Sequence, residues 1–179
     1  MKLLLDTCVL YPTVMREVLI GAARAGFYEP LWSPRILEEW RRAAARHGPV
    51  DALEIDGQIA LLSATWPKAS VQPRAGDLAR LWLPDPDDIH VLAAAIAGSA
   101  DGIVTMNAKD FPRHVLGEEG LSRNDPDAIL HGFWQADPLG MEAVVTTVRA
   151  EADRLSRTTW TTRALLKKAR LPRLGKALG

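Results

Sequence analysis

The stretch KLLLD, residues 2–6, sets the fold class of this chain. Three consecutive leucines form a short apolar run with no alternation of polar and apolar residues, and an aspartate ends it. Such a run is typical of a strand that is covered on both faces, as the strands of parallel sheets are. The run GIVT, residues 102–105, has the same character. The sequence therefore predicts a buried parallel sheet that contains both segments.

Helical segments separate the predicted strands. Ser33 precedes Pro34, and Asp85 precedes Pro86, and each pair is typical of an N-cap followed by the first residue of a helix. Alternating strands and helices are typical of an α/β fold, in which helices cover a parallel sheet. The predicted strands are 2–5, 30–32, 69–72, 102–105 and 121–122, and the predicted helices are 14–25, 34–47, 51–65 and 85–98.

The last third of the chain lacks the strand pattern. Asp125-Pro126 and Asp137-Pro138 are two further helix starts of the cap-then-proline type, and a third helix is predicted over Thr161–Leu171. The sequence thus predicts an α/β domain over residues 1–125 and a helical C-terminal extension over 126–179.

Composition excludes several classes of protein. Hydrophobic residues make up 47% of the 179 residues, which is enough for a packed core. Cys8 is the only cysteine, so neither an internal disulfide nor a cysteine-rich zinc site can form. No apolar stretch approaches the roughly 18 residues of a membrane span. The N-terminus lacks the pattern of a signal peptide, so we expect a cytoplasmic protein.

The net charge of zero hides an asymmetry. The 22 basic and 22 acidic residues cancel, but residues 157–179 contain seven basic residues and no acidic one. Such a segment contacts a polyanion in some proteins and only keeps the chain soluble in others. On charge alone the two interpretations are equally good.

Acidic and amide side chains follow the predicted strands. Asp6 ends the first strand, and Asn107 and Asp110 come shortly after the strand at 102–105. The carboxyl ends of parallel strands meet at one edge of the sheet, where open α/β sheets bind ligands. Each residue could instead be an ordinary turn residue, since Asn and Asp are common in turns.

Asp88 is the most informative acid. With Asp88 at 0° and 100° per residue, Leu92 falls at about 40° and Ala95 at about 340°, so Asp88 shares the apolar face of its helix. A capping box with Asp85 as the N-cap would explain acids at this helix start, but it would not explain an inward direction. His90 falls at about 200° and is expected to face solvent.

The helix after Ser33 offers two further acids. Its apolar residues centre between Ile36 and Trp40, and Glu39 falls on the edge of this apolar arc while Glu38 falls opposite to it. Glu39 can therefore lean into a cleft beside the core, whereas Glu38 is expected to face water. The alternative is that both glutamates pair with arginines of the same helix.

Several carboxylates at one sheet edge would repel one another unless a cation lies between them. Oxygen ligands alone favour Mg²⁺ or Mn²⁺ over Zn²⁺. A hard divalent ion held by carboxylates is suited to the hydrolysis of phosphodiester bonds.

Four segments together resemble a known family. LLLDTCVL (3–10), SPRILEEW (33–40), DPDDIHVLAAA (85–95) and IVTMNAKDF (103–111) are similar, in order and spacing, to the PIN-domain nucleases, and more narrowly to the VapC-like ribonuclease toxins of type II toxin–antitoxin modules. The resemblance implies a PIN-like three-layer α/β/α sandwich and an endoribonuclease site that uses Mg²⁺ or Mn²⁺. It further implies an RNA substrate, a cognate antitoxin as protein partner and a homodimer.

Carried over residue by residue, the resemblance implies that Asp6, Glu39 and Asp88 are the catalytic acids and metal ligands, with Glu38 as the competitor of Glu39. Asn107 and Asp110 would complete the metal site. On the C-terminal extension, the exposed face of the predicted helix at 161–171 offers basic residues for RNA phosphates: Arg163, Lys167 and Arg170.

Two departures from the family pattern favour an alternative. Relatives often carry Asn at the position of Cys8 and Asp at the position of Asn107, so the hydrogen bonding of Asp6 and the charge of the metal site are both altered. The alternative function is a catalytically weak or inactive PIN-like module that binds RNA or protein.

Overall fold

A four-stranded sheet forms the centre of the fold. The computed structural model describes all residues from 1 to 179. The strands lie in the order β2-β1-β3-β4, and β1 pairs in parallel with both β2 and β3. Leu4 of β1 lies opposite Leu31 on one side and Ile103 on the other. The strands are β1 (Lys2–Leu5), β2 (Glu29–Leu31), β3 (Gly102–Val104) and β4 (Ser122–Asn124).

The strands of the sheet are short, and helices make up most of the remaining regular structure. The predicted α/β class with a parallel sheet, flanking helices and further helices at the C-terminal end is confirmed. A 3-10 turn at Pro86–Asp88 precedes one of the helices. The helices are α1 (Thr7–Leu10), α2 (Thr13–Arg24), α3 (Pro34–Ala45), α4 (Pro49–Thr65), α5 (Ala75–Arg80), α6 (Ile89–Ala97), α7 (Arg113–Glu118), α8 (Pro126–Ala136), α9 (Pro138–Ser156), α10 (Thr162–Lys168) and α11 (Pro172–Leu178).

The predicted cap-then-proline starts are confirmed. The Ser33 hydroxyl accepts a hydrogen bond from the Ile36 N–H at the start of α3. The carboxylates of Asp125 and Asp137 do the same at the starts of α8 and α9. These side chains satisfy backbone donors that a helix leaves without partners in its first turn.

Two predicted elements differ in the structure. Residues 69–72 form a single bridge, between Ser70 and Trp32, and not a strand. The predicted helix at 161–171 is shorter in the structure: α10 ends at Lys168, Arg170 adopts the left-handed conformation, and a separate helix, α11, begins at Pro172. Pro172 disfavours the helical conformation of Leu171, the residue before it, so α10 cannot continue into α11. The short helices α1, α5 and α7 had no clear signal in the sequence.

The chain divides into two compact units. The first contains Met1–Tyr11 and Glu29–Arg123, and the second contains Pro12–Tyr28 and Asn124–Gly179. Helix α2 thus packs with the C-terminal helices, although it lies between β1 and β2 in the sequence. A single division of the chain at residue 125 does not describe this packing. That residues 1–125 carry the nuclease function and residues 126–179 form an extension stays a prediction.

The first unit places helix α6 against the sheet. Helix α6 contacts both β1 and β3. All residues from His90 to Ala95 are buried, and three consecutive alanines let the helix approach the strands closely. This packing fixes the residues just before α6, which include Asp88, beside the carboxyl ends of β1 and β3.

The second unit is a set of helices with an aromatic centre. Phe133 of α8 stacks on Phe27 and Tyr28, with ring centroids 5.4 and 5.7 Å apart. The buried carboxylate of Asp127 accepts hydrogen bonds from the N–H groups of Arg173 and Leu174, and so caps α11 from a distant part of the sequence. No helix of the chain combines the length and the apolar character that crossing a membrane requires.

Candidate active site

The site lies at the topological switch point of the sheet. The chain leaves β1 toward β2 on one side, and later returns to β3 on the other side. The crevice beyond the carboxyl ends of two such strands is the usual ligand site of open α/β sheets. Asp6 follows β1 directly, and Thr105 follows β3 directly. The Thr105 hydroxyl donates a hydrogen bond of 2.7 Å to Oδ2 of Asp6, which joins the two strand ends.

Cys8 supplies Asp6 with a second donor. The Cys8 thiol donates to Oδ2 of Asp6 at 3.1 Å, and its sulfur accepts the Met106 N–H at 3.3 Å. Burial, and then the charge of Asp6, raise the pKa of the Cys8 thiol to about 12, so the thiol keeps its proton at neutral pH. The cysteine therefore supplies Asp6 with an uncharged hydrogen-bond donor.

Asp88 belongs to a group of three carboxylates. Oxygens of Asp85, Asp88 and Asp110 lie within 4.8 Å of one another. Asn107 connects this group to the loop after β3, because its Nδ2 donates to Asp88 at 3.2 Å and its Oδ1 accepts the Asp110 N–H at 3.3 Å. Three segments that are distant in the sequence, those after β1, before α6 and after β3, thus meet at one place.

Burial and neighbouring negative charges raise the pKa of Asp88 to about 6. The largest cause is burial, followed by the negative charges of Asp6, Asp85 and Asp110. Two unit charges about 4 Å apart near a protein surface repel by roughly 4 kcal/mol. A carboxylate with this perturbation in a crevice is a candidate for a functional residue, because a bound cation would remove the repulsion.

Glu39 lies beside the three-carboxylate group but is not a member of it. The Thr7 hydroxyl donates to Oε2 of Glu39 at 3.1 Å, and Arg35 and His90 donate to Oε1 at 3.1 and 3.0 Å. Burial alone would raise the pKa of Glu39, but the hydrogen bonds from His90, Thr7 and Arg35 outweigh it and leave this pKa below its ordinary value. Glu39 is therefore ionised at neutral pH.

Glu38 points away from the site. It pairs with Arg42 one turn later on α3, at 2.8 Å. Of the two candidates on this helix, Glu39 is the one next to Thr7, which directly follows Asp6. Both glutamates also pair with arginines of the same helix, Glu39 with Arg35 and Glu38 with Arg42, as the alternative expected. The contacts with Thr7 and His90 distinguish Glu39 from Glu38, and a catalytic role for Glu39 stays a prediction.

The expectation for His90 is wrong. The side chain is only 3% exposed and contacts Glu39. The angular count assumed that only one face of this helix is buried. The residues from His90 to Ala95 are all buried, so α6 has no solvent face at His90.

The basic residues on the C-terminal extension are only partly on one face. Arg163 and Lys167 lie one turn apart on α10 and are exposed, while Leu165 and Leu166 are buried. Arg170 lies beyond the end of α10, in the left-handed turn before α11. The expectation of a single helix face that contains all three is therefore wrong, although all three are exposed.

Sequence reasoning missed several residues of the site. It treated Asp85 only as an N-cap. In the structure Asp85 accepts the Asp87 N–H at 2.9 Å and also belongs to the three-carboxylate group. Its spacing of three residues before Asp88 was a usable signal, since one helical turn places both on one side. Thr105 had no comparable signal, because its contact with Asp6 spans 99 residues.

The donor set fits a hard divalent cation. Every side chain of the three-carboxylate group offers oxygen, Asp6 adds further oxygens nearby, and the buried Cys8 thiol keeps its proton. The Asn107 amide faces Asp88 with its nitrogen, and its oxygen accepts the Asp110 N–H. Such a set favours Mg²⁺ or Mn²⁺, whereas zinc sites usually include Cys or His ligands. The geometry thus defines an α/β protein with a group of carboxylates at its switch point that could hold a divalent metal.

Comparison with known families identifies the class. Residues 2–109, which are more than half of the chain, match the family model described as PIN domain, so this chain belongs to the PIN-domain family. PIN domains are generally metal-dependent nucleases. The matched range contains Asp6, Glu39, Asp88 and Asn107 and ends just before Asp110. Neither the comparison with curated proteins nor that with solved structures found a match.

The raised pKa of Asp88 predicts a stability effect in the metal-free protein. Its folded-state pKa, about 6, lies above the ordinary value of 3.8, so the charged carboxylate destabilises the folded state above pH 6 and this penalty disappears as the pH falls toward 4. Asp88→Asn removes the charge. After allowance for solvent screening, we expect it to stabilise the metal-free protein by about 1 kcal/mol at pH 7.5, which raises Tm by roughly 2–4 °C.

The measurement is thermal unfolding in EDTA at pH 7.5 and at pH 4. Asp87→Asn is the matched control, because Asp87 is adjacent but is not in the three-carboxylate group. A lower Tm for Asp88→Asn than for the wild type at pH 7.5, or equal gains from both variants, would contradict the proposed repulsion.

Proposed function

We propose that this protein is an endoribonuclease that uses Mg²⁺ or Mn²⁺ to hydrolyse RNA phosphodiester bonds. One observation carries the proposal. Asp88 is partly buried and lies among the negative charges of Asp6, Asp85 and Asp110, at the switch point of a PIN-domain sheet. Without a cation the carboxylates repel one another and destabilise the fold, whereas a bound divalent cation would be ligated by them.

The acidic site itself argues for a phosphate-containing substrate that binds together with metal. Without a cation, a group of carboxylates repels a polyanion such as RNA. With Mg²⁺ or Mn²⁺ bound, the ion would neutralise the carboxylates, attract phosphate oxygens and activate water. This chemistry requires oxygen ligands that leave some coordination positions of the ion free for water and phosphate.

Each residue of the site would have a separate role in binding the ion or the attacking water. Asp6 and Asp88 would hold the ion directly, and Asp110 would complete its shell. Asn107 donates to Asp88 and thereby fixes the orientation of that carboxylate. Glu39 lies beside this group with three hydrogen-bond donors on it, and it would bind or orient the attacking water.

Asp88→Asn is expected to reduce Mn²⁺-dependent cleavage of RNA by at least roughly 100-fold. The loss of one anionic ligand lowers the affinity for Mn²⁺ and the activation of the water bound to it. The assay uses a fluorescent single-stranded RNA with Mn²⁺ titrated at pH 7.5, and circular dichroism checks the fold of the variant. Asp87→Asn again serves as the control and should cleave at the wild-type rate. Undiminished cleavage by Asp88→Asn would refute the proposal.

The same protein samples distinguish the alternative, a PIN-like module that binds RNA or protein without cleaving. An active nuclease should show a calorimetric Mn²⁺ site that disappears in Asp6→Ala. A wild-type protein that binds RNA, shows no such Mn²⁺ site and leaves the RNA intact would be the binding module.

We further propose that exposed basic residues of the second unit bind RNA phosphates. Replacing Arg163, Lys167 and Arg170 together by Ala should weaken binding to all RNA sequences alike and lower the slope of log K against log salt by up to about 2, since each phosphate contact with a single strand contributes about 0.7. Fluorescence anisotropy at several salt concentrations measures the slope. A triple variant that swaps Arg and Lys at these positions keeps the charge and should keep the slope. An unchanged slope in the alanine variant would exclude these residues from the RNA interface.

We propose, finally, that the nuclease is a VapC-like toxin of the cytoplasm, with a small antitoxin as partner and a homodimer as its assembly. This proposal rests on the resemblance of the four sequence segments to the toxin subgroup. Expression of the wild type should arrest growth of the host, and Asp88→Asn should not. Coexpression of a neighbouring open reading frame should relieve the arrest and yield a copurifying complex. Normal growth and no copurifying partner would contradict the toxin role.

A further inference from the structure

His90 has a position that neither the fold nor the metal ligands explain. It lies in the first turn of α6, two residues after Asp88, and its ring contacts Glu39 on α3. Both residues belong to the first compact unit. We propose that His90 is a positioning residue, which holds the carboxylate of Glu39 so that Glu39 can bind or orient the attacking water. This inference rests on the proposed nuclease function and assigns a role to a residue outside the metal site.

The direction of the hydrogen bond follows from the acceptor. An ionised carboxylate can only accept, so the Nε2 of His90, 3.0 Å from Oε1 of Glu39, must carry the proton of this bond. The hydrogen bond therefore places a proton on Nε2. The other ring nitrogen, Nδ1, is buried and has no hydrogen-bond partner.

That buried Nδ1 argues against a purely structural role. A buried polar atom without a partner costs about 1–3 kcal/mol. A leucine at position 90 would avoid this cost in an otherwise apolar helix of Val, Leu, Ile and Ala. Packing alone thus favours an aliphatic residue there, and the bond to Glu39 is the one feature of the structure that requires a nitrogen at Nε2.

His90 is also the most strongly fixed of the three donors to Glu39. The Arg35 side chain is 55% exposed, and an exposed ion pair of this kind contributes little. The Thr7 hydroxyl lies 3.4 Å from the Ile36 carbonyl as well as 3.1 Å from Glu39, so it has two acceptors. The His90 ring is 3% exposed and is held by the packing of α6.

These donors limit what Glu39 can do. Oε1 accepts two hydrogen bonds and Oε2 accepts one, so the free lone pair of the carboxylate is on Oε2. A carboxylate that is fixed in this way cannot turn freely to follow an ion. It can accept a hydrogen bond from one water molecule in a fixed direction, which is the task of a group that orients a nucleophile.

Two substitutions separate the hydrogen bond from the bulk of the ring. The amide nitrogen of Gln lies near the position of Nε2, whereas that of Asn lies near the position of Nδ1. His90→Gln can therefore keep the bond to Glu39, and His90→Asn cannot. At saturating Mn²⁺ we expect His90→Asn to lower kcat by about 10–100-fold, with KM for RNA within about twofold of the wild type, and His90→Gln to restore most of kcat.

A double-variant cycle tests whether His90 acts through Glu39. In a Glu39→Gln background, His90→Asn should lower kcat by less than about twofold further, because the group that it positions is already altered. Equal losses from His90→Asn with and without Glu39→Gln would overturn the proposal. An equal loss of kcat in His90→Gln and His90→Asn would also overturn it, since His90 would then act through packing.

A measurement without RNA keeps this inference distinct from the nuclease proposal. Long-range ¹H–¹⁵N spectra of the metal-free wild type report which ring nitrogen carries the proton, and the His90 signals are assigned by their absence in His90→Gln. The Nε2–H tautomer, with a signal that shifts in Glu39→Gln, supports the bond even if the protein cleaves no RNA, in which case only the nuclease proposal fails. The Nδ1–H tautomer, or no shift, overturns the inference.

Discussion

Repulsion among carboxylates at the ends of β1 and β3 is the constraint on which the rest of the site depends. Asp6 is 6% exposed, and Asp88 has a pKa raised to about 6 by burial and by neighbouring negative charges. A fold keeps such an arrangement only if packing elsewhere offsets its cost. Here the buried leucines of β1 and the buried residues from His90 to Ala95 of α6 provide that packing. The acids are therefore held in place by the core beneath them, and a divalent cation would relieve the repulsion.

The order of the strands brings these acids together. Because β1 lies between β2 and β3, the chain reverses its direction of winding beside β1, and a crevice opens there. The Thr105–Asp6 hydrogen bond closes the base of this crevice. Around it, uncharged donors hold the carboxylates at short range: the Cys8 thiol on Asp6 and the Asn107 amide on Asp88. The two departures from the family pattern thus both take part in the hydrogen bonding of the site.

The sequence predicted the parts of this structure that depend on local pattern. The apolar run of β1 and the Ser33 cap follow from neighbouring residues, and the structure contains them where they were expected. His90 was placed wrongly because the angular count assumed one buried face, whereas contacts with distant segments bury α6 on all sides from His90 to Ala95. The grouping of α2 with the C-terminal helices was missed for another reason: it depends on contacts between segments more than 100 residues apart, which no local pattern encodes.

The most direct test of the central claim is a crystal of the wild-type protein grown with Mn²⁺, with data collected at a wavelength where manganese scatters anomalously. The account predicts an anomalous peak among the carboxylates of Asp6, Asp88 and Asp110, with metal–oxygen distances of about 2.0–2.3 Å, and no peak in a crystal of Asp88→Asn. An empty site in the wild-type crystal, with basic side chains neutralising the carboxylates, would contradict the account.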